Sequence, residues 1–510
     1  MIKITYKLIL LLSLLAMTVT SFAASEAEYG KVSKAWTLHA DGSQEYRSSM
    51  ELTLFTHTAM NSTYGESFIV YNPDFQTLKI HSSYTRQKDG TIVKTPDNAF
   101  VEVLPRFAAD APAYNQLKEM VVVHTGLELG ATIYLDYSII TKPGYYPALD
   151  INERLQETSP VKECKVSISV PEGTPLACGL YGSPVKAVEE SHDGIKEVHW
   201  TLRNIPASSR EAFQPKNREA SPHLVASTYP SGKAALATLD KRLKESQGYE
   251  SKTFAQFLTD KSGNEQEKVN IIRDHILNNL STCPIPMAMT GYTVRDIDTV
   301  LRSAYGTPLE IAQLLNVMLN AAGIPSEVLA VYPGHLDTDA CGLAAIQTLA
   351  VKATVDGKDQ YLSASPLTNR GGLDKVVSLS GTSIEIETTP IQIKESRSVA
   401  ISAGIDSWGM SALNSKRSNL FELPSLIREE VTYTVTPAEG MKLQTSTQEQ
   451  VISKPFGKVT RTITPRGNTI EVVRTIELNK QQFTPAEYSD VRSLIHEWTN
   501  PDNRVLLFSL

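Results

Sequence analysis

The sequence predicts a multidomain α+β protein: an antiparallel β-sandwich, then a mixed helix-and-strand domain, then a β-rich carboxy-terminal domain. Three observations carry this. Short runs alternating apolar and polar residues, divided by turn residues, fill the chain from Glu28 to about Val225. Helical periodicity begins after Pro230-Ser231-Gly232, and strand-like runs return from about Thr382 to Leu510. A chain of 510 residues exceeds one core, with a prior of about three domains. The expected divisions are a leader at 1–24 and domains at 25–228, 229–380 and 381–510.

The first residues have the form of an export signal. Basic Lys3 and Lys7 precede an apolar run from Leu8 to Met17, and Ser21 and Ala23 are spaced for signal peptidase. The other reading is an anchor helix, for which the run is short. No later window has about 18 apolar residues in a row, so the mature protein is expected to be soluble and periplasmic or secreted, without a membrane segment. Four cysteines, Cys164, Cys178, Cys283 and Cys341, would then sit in an oxidising compartment. Cys164 and Cys178 flank a turn at Pro171-Glu172-Gly173 and are the local disulfide candidates; alternatively all four stay thiols.

In the first domain the strand-like runs include Ser67 to Tyr71, Thr91 to Lys94 after the Asp89-Gly90 turn, Glu119 to His124, Ala131 to Ile140, Lys165 to Val170 and Glu197 to Leu202. In the middle domain helices are expected over Ala234 to Ser246, Thr253 to Leu258 and Glu265 to Leu280. The strongest helix signal starts at Pro308. Ile311, Leu314, Leu315, Met318, Leu319 and Ala322 form one apolar face, Thr307 and Glu310 make a Thr-x-x-Glu capping box, and Gly323 and Pro325 end the helix. A buried strand follows from Ser326 to Tyr332, with others near Leu349 and Gln360. In the last domain strands are expected at Ser383 to Glu387, Ile391 to Ile393, Ser398 to Ser402, Glu430 to Val435, and on both sides of the Pro465-Arg466-Gly467-Asn468 turn. A terminal helix over Glu487 to Glu497 turns Leu494, Ile495 and Trp498 inward.

The stretch RDIDTVLRSAYGTPLEIAQLLNVMLNAAGIPSEVLAVY, Arg295 to Tyr332, resembles the nucleophile helix and following strand of the bacterial transglutaminase-like family, a papain-like fold. The resemblance implies a catalytic Cys at the helix head, a His on a later strand and a carboxylate on the next. Here those places read Pro308, Thr348, counted back from the Asp356-Gly357-Lys358 hairpin, and Ser363, in the Tyr361-Leu362-Ser363-Ala364-Ser365-Pro366 turn after it. All three are vacated, which implies a core kept for shape. The segment from Trp200 to Ala207, with Glu211 and Pro215, resembles the end of the β domain of unknown function that precedes such cores, and the carboxy-terminal run resembles the β domain that follows them.

Two candidate sites remain. On the rim of the cleft the family would open, Tyr292, Arg295 and Tyr305 are binding candidates, unless Tyr305 packs and Arg295 pairs with a carboxylate. The loop from Pro333 to Cys341 offers Cys341 as a relocated nucleophile and His335 as its base, or simply a solvated acidic loop over a buried Cys341. His335, Asp337 and Asp339 lack the spacing of an established metal cage, so no metal is expected. Nor is a cofactor: the chain has no Gly-rich phosphate loop, His-Glu-x-x-His or Cys-x-x-Cys. Net charge is −7 with no Lys/Arg cluster, which excludes nucleic acid as a partner. The expected function is a non-catalytic scaffold or a binder of a peptide, glycan or protein of the cell envelope. A cysteine peptidase or transglutaminase-type acyltransferase is the alternative.

Overall fold

The computed structural model describes residues 25–208, 211–214, 221–246, 248–362, 374–384, 386, 391–397, 404–410 and 413–509. The expected leader, the Ser398 to Ser402 run and Ser363 lie outside them. The chain forms two compact units, the described parts of Met1–Tyr146, Leu155–Thr174 and Pro184–Ser208, and those of Pro147–Arg154, Pro175–Ser183 and Ser209–Leu510.

The first unit is built on an eight-stranded sheet. Its strands run in the order Val188–His192, Ile195–Ile205, Val161–Pro171, Ala27–Leu38, Gln44–Leu54, Thr132–Thr141, Gln76–Arg86 and Ile92–Lys94. The alternation that marked these strands puts Cys164, Val166, Ile168 and Val170 on one buried face of Val161–Pro171. A second sheet, Glu66–Tyr71, Lys118–Val123 and Phe100–Val103, contributes Ile69 and Val122 to a core cluster with Leu135 of the first.

Two expectations need correction here. The large sheet is not purely antiparallel, because Ala27–Leu38 pairs parallel with Val161–Pro171. Parallel neighbours need a long crossover, and the chain between Thr141 and Val161 supplies it. The Pro171-Glu172-Gly173 turn does not close a hairpin: Val161–Pro171 pairs with Ile195–Ile205, whereas Ala177–Tyr181 pairs with His223–Ser227 in the second unit. Cys164 and Cys178 therefore belong to different sheets, and the disulfide that the turn suggested is not made.

In the second unit, Ala177–Tyr181, His223–Ser227 and Asp150–Arg154 form a three-stranded sheet whose middle strand is buried throughout. Helices Gly232–Glu245, Glu250–Thr259 and Glu265–Asn279 follow, close to the expected spans. The central helix is Pro308–Ala321, and every residue of the predicted apolar face is buried. Gly323, at φ +83°, takes the left-handed position after it. The central helix packs against a five-stranded sheet in the order Lys358–Leu362, Thr348–Val355, Ser326–Pro333, Asp374–Ser378 and Ser383–Ile384. One helix, Ile297–Ser303, was not expected; Asp296 caps it by accepting from the Thr299 amide, and Ala304 ends it in the left-handed region.

The carboxy-terminal part carries a five-stranded sheet, Ile391–Arg397, Ile427–Val435, Thr469–Leu478, Gly457–Arg466 and Gln450–Lys454. Arg466 faces Thr469, so the expected hairpin turn narrows to Gly467-Asn468. Helix Tyr488–Thr499 lies on this sheet and buries Leu494, Ile495 and Trp498 as the sequence predicts.

Candidate functional site

The head of the central helix is held by local chemistry. Thr307 Oγ1 accepts from the Glu310 amide at 3.3 Å, and Glu310 Oε2 accepts from the Thr307 amide at 2.8 Å, which completes the predicted capping box. The Glu310 carboxylate, 0% exposed, also faces Arg295. Arg295 Nε donates to Oε1 at 2.9 Å, Nη2 to Oε2 at 3.1 Å and the backbone amide to Oε1 at 3.0 Å. The guanidinium stacks 4.5 Å from the Tyr305 ring centroid and gives a further hydrogen bond to the Tyr305 carbonyl at 2.7 Å. Two of the rim candidates, Arg295 and Tyr305, are thus brought together as a brace on the helix start. Tyr292 is buried, 3% exposed, with a positive φ of 60°.

Where the family resemblance puts a nucleophile, Pro308 offers no N–H, and the Glu310 amide is already taken by Thr307. Thr348 opens the Thr348–Val355 strand, paired with Val331.

The His335–Cys341 loop is the second place where reactive side chains meet. Cys341 is 1% exposed. Burial, then the carboxylates of Asp150 and Asp337, push its thiol up to about 12, so at pH 7 it stays a neutral thiol. Asp150 comes from the Asp150–Arg154 strand and accepts from the Ala344 amide at 2.9 Å. The residue is half-buried, but its Oδ1 is sealed from solvent. That desolvation pushes the carboxyl up to about 7, against the hydrogen bonds from the Ala344 and Leu343 amides that favour its charge. His335 stands edge-on to Tyr181 at 5.5 Å and near His223 at 6.3 Å. His223 is itself hydrogen-bonded to Asn152, and burial, then Arg154 and His335, lower it to about 4. Tyr332 and Tyr229 complete the cluster, with both phenols raised chiefly by burial. Asp337 and Asp339 are exposed, and Asp337 caps the turn by accepting from the Asp339 amide at 3.1 Å.

The structure therefore brings Cys341 and His335 of the sequence candidates into one cluster with Asp150, His223, Tyr181, Tyr229 and Tyr332. Asp150, His223, Tyr181 and Tyr229 carried no local signal, because each arrives from a distant strand or turn, whereas Tyr332 lies at the end of the strand that leads into the loop. The cluster contains a neutral thiol and a carboxyl able to exchange a proton near pH 7. The loop is fixed tightly. Lys375 Nζ donates to the Leu336 carbonyl at 2.6 Å, and a Cβ on Gly232 would stand 1.8 Å from the Thr338 carbonyl oxygen. Gly232→Ala should accordingly destabilise the second unit by about 1–3 kcal/mol, read as a lowered urea midpoint with an unchanged m value; a wild-type midpoint would contradict this close approach.

Comparison with known proteins adds family identity. Residues 40–209 match a domain of unknown function with a solved structure, DUF3857, and residues 397–508 match another, DUF3858. No curated protein matches the chain. A crystal structure from Parabacteroides distasonis, described as a putative protease, is 96% identical, covers 95% of this chain and 99% of its own, and superposes with a TM-score of 0.92. A structure from Cytophaga hutchinsonii described as a putative cysteine protease is 14% identical over 47% of this chain and 90% of its own, with a TM-score of 0.21. An M1 zinc metallopeptidase mutant from Deinococcus radiodurans is 11% identical over 39% of this chain and 42% of its own, with a TM-score of 0.20.

Proposed function

This chain, which carries DUF3857 and DUF3858 domains, belongs to the same family as the Parabacteroides distasonis protein, and we propose that it is an exported, non-catalytic protein of the bacterial cell envelope. Its middle domain is a transglutaminase-like core that has become a scaffold, or a binder of a peptide, glycan or protein. The observation that carries this reading is the helix head: the nucleophile's place holds Pro308, and a capping box braced by Arg295 and Glu310 uses the surrounding donors. Among the described residues no helix is long and apolar enough to cross a membrane, which is compatible with a protein released from its leader.

The second reading, a cysteine peptidase, is favoured by the gathering of Cys341, His335 and Asp150 in one cluster and by the description of the Parabacteroides protein as a putative protease. A catalytic cysteine needs a thiolate and an accessible sulfur, and the burial of Cys341 opposes both. The test is to treat the full chain with a thiol-directed acylating probe and a fluorogenic peptide. The expected result is no acyl-enzyme and no turnover, with Cys341 labelled at least about 100-fold more slowly in the folded chain than in urea. An acyl-enzyme at neutral pH that disappears in Cys341→Ser would replace the scaffold with the peptidase.

A further inference from the structure

The buried face of the carboxy-terminal sheet holds two guanidinium groups for which the described residues provide no ion pair. Arg461 and Arg474 stand directly opposite each other on the strands Gly457–Arg466 and Thr469–Leu478. They are 9% and 5% exposed. On one side of this pair the core cluster contains Val459 and Ile476, and on the other a separate cluster contains Ile463 and Val472. Like charges placed directly opposite in a sheet repel, and buried charge without a partner is expensive.

Among the described residues the partners are few. Arg461 Nη2 donates to the Val505 carbonyl at 3.1 Å, and Arg474 Nη2 to the Trp498 carbonyl at 2.6 Å. Arg504 holds the carboxylate of Asp406 with both oxygens at 2.8 Å. Glu429, also on the buried face, accepts from the Ile405 amide at 3.1 Å. The guanidinium of Arg474 lies 4.5 Å over the Trp498 ring. Two buried donors, Arg461 Nε and Trp498 Nε1, find no acceptor among the described residues. Burial, and next the charge of Arg504, lower Arg474 to about 10. Among the described residues the hydrogen bonds of this pair of guanidinium forks go to backbone carbonyls.

We propose that Arg461 and Arg474, with the Trp498 indole, form an oxyanion-binding site inside the DUF3858 domain. Its ligand class is a small group with at least two charged oxygens, a carboxylate or a phosphate, because a guanidinium fork pairs with such groups through parallel N–H bonds. The site is separate from the central helix and from the His335–Cys341 loop, so it stands whether or not the scaffold reading does.

The experiment is thermal unfolding of the full chain in inorganic phosphate, in acetate and in chloride at equal ionic strength. Phosphate or acetate should raise the midpoint by about 2–5 °C over chloride, and the anion that does so names the source. The gain should vanish in Arg461→Met and shrink in Arg461→Lys, which keeps the charge and loses the fork. Calorimetric titration of the wild-type chain with the same anions gives a second readout that does not depend on a variant folding. Equal midpoints in all three salts together with no heat of binding, or an undiminished gain in a folded Arg461→Met, would overturn the site.

Discussion

Arg295→Met is expected to destabilise the second unit by about 3–5 kcal/mol, because it removes one partner of a buried ion pair and leaves the other in place. Glu310 is fully buried, and the guanidinium answers both of its carboxylate oxygens. After the substitution the amides of Thr307 and Arg295 remain as its donors, which is insufficient for a charge taken out of water. The loss includes the stack on Tyr305. Urea unfolding followed by the fluorescence and far-ultraviolet signals of the full chain checks the size. The double variant Arg295→Met with Glu310→Met should be far closer to wild type than the sum of the two single changes. If Arg295→Met alone lost less than about 1 kcal/mol, the pair would behave as an exposed one and its role as the brace of the helix head would fail.

The parts of this fold that were legible in the sequence are those whose causes are local. The central helix is written in Thr307, Pro308, Glu310, its apolar face and Gly323, and the structure puts each where that pattern requires. The Gly467-Asn468 hairpin and the terminal helix are of the same kind. Strand pairing is not local. Nothing near Val161 announces a parallel partner at Ala27–Leu38, and the turn after Pro171 resembles a hairpin turn although its two strands go to different sheets. Helix Ile297–Ser303 was missed because seven residues are too few to display a periodicity. The same division holds at the candidate sites. Arg295 and Tyr305 were visible as a rim pair, but the buried carboxylate they serve was assigned to helix capping alone, and Glu310 does both. Asp150 and His223 reach the Cys341 loop by way of a strand pair, and no spacing in the chain encodes that meeting.

Asp150 sets the expected response of the second unit to pH. Its carboxyl titrates near 7 in the folded protein because burial outweighs two amide hydrogen bonds, whereas in the unfolded chain an aspartate titrates near 3.9. Between those values the folded state binds the extra proton, so stability falls as pH rises. The group's contribution is complete below about pH 4, declines through the folded value and is gone above it. The largest loss is about 4 kcal/mol for a shift of roughly three units, a substantial share of a typical domain's stability. Asp150→Asn keeps an oxygen for the Ala344 amide and has no proton to lose. The stability of the wild type relative to this variant should therefore drop by up to about 4 kcal/mol from pH 4 to pH 8 and stay level above that. Urea midpoints at four or five pH values measure it. A difference that does not change with pH, or that grows as pH rises, would mean that Asp150 is charged in the folded protein. The Cys341 thiol would then sit beside a fixed negative charge, which would hold it further from the thiolate at every neutral pH.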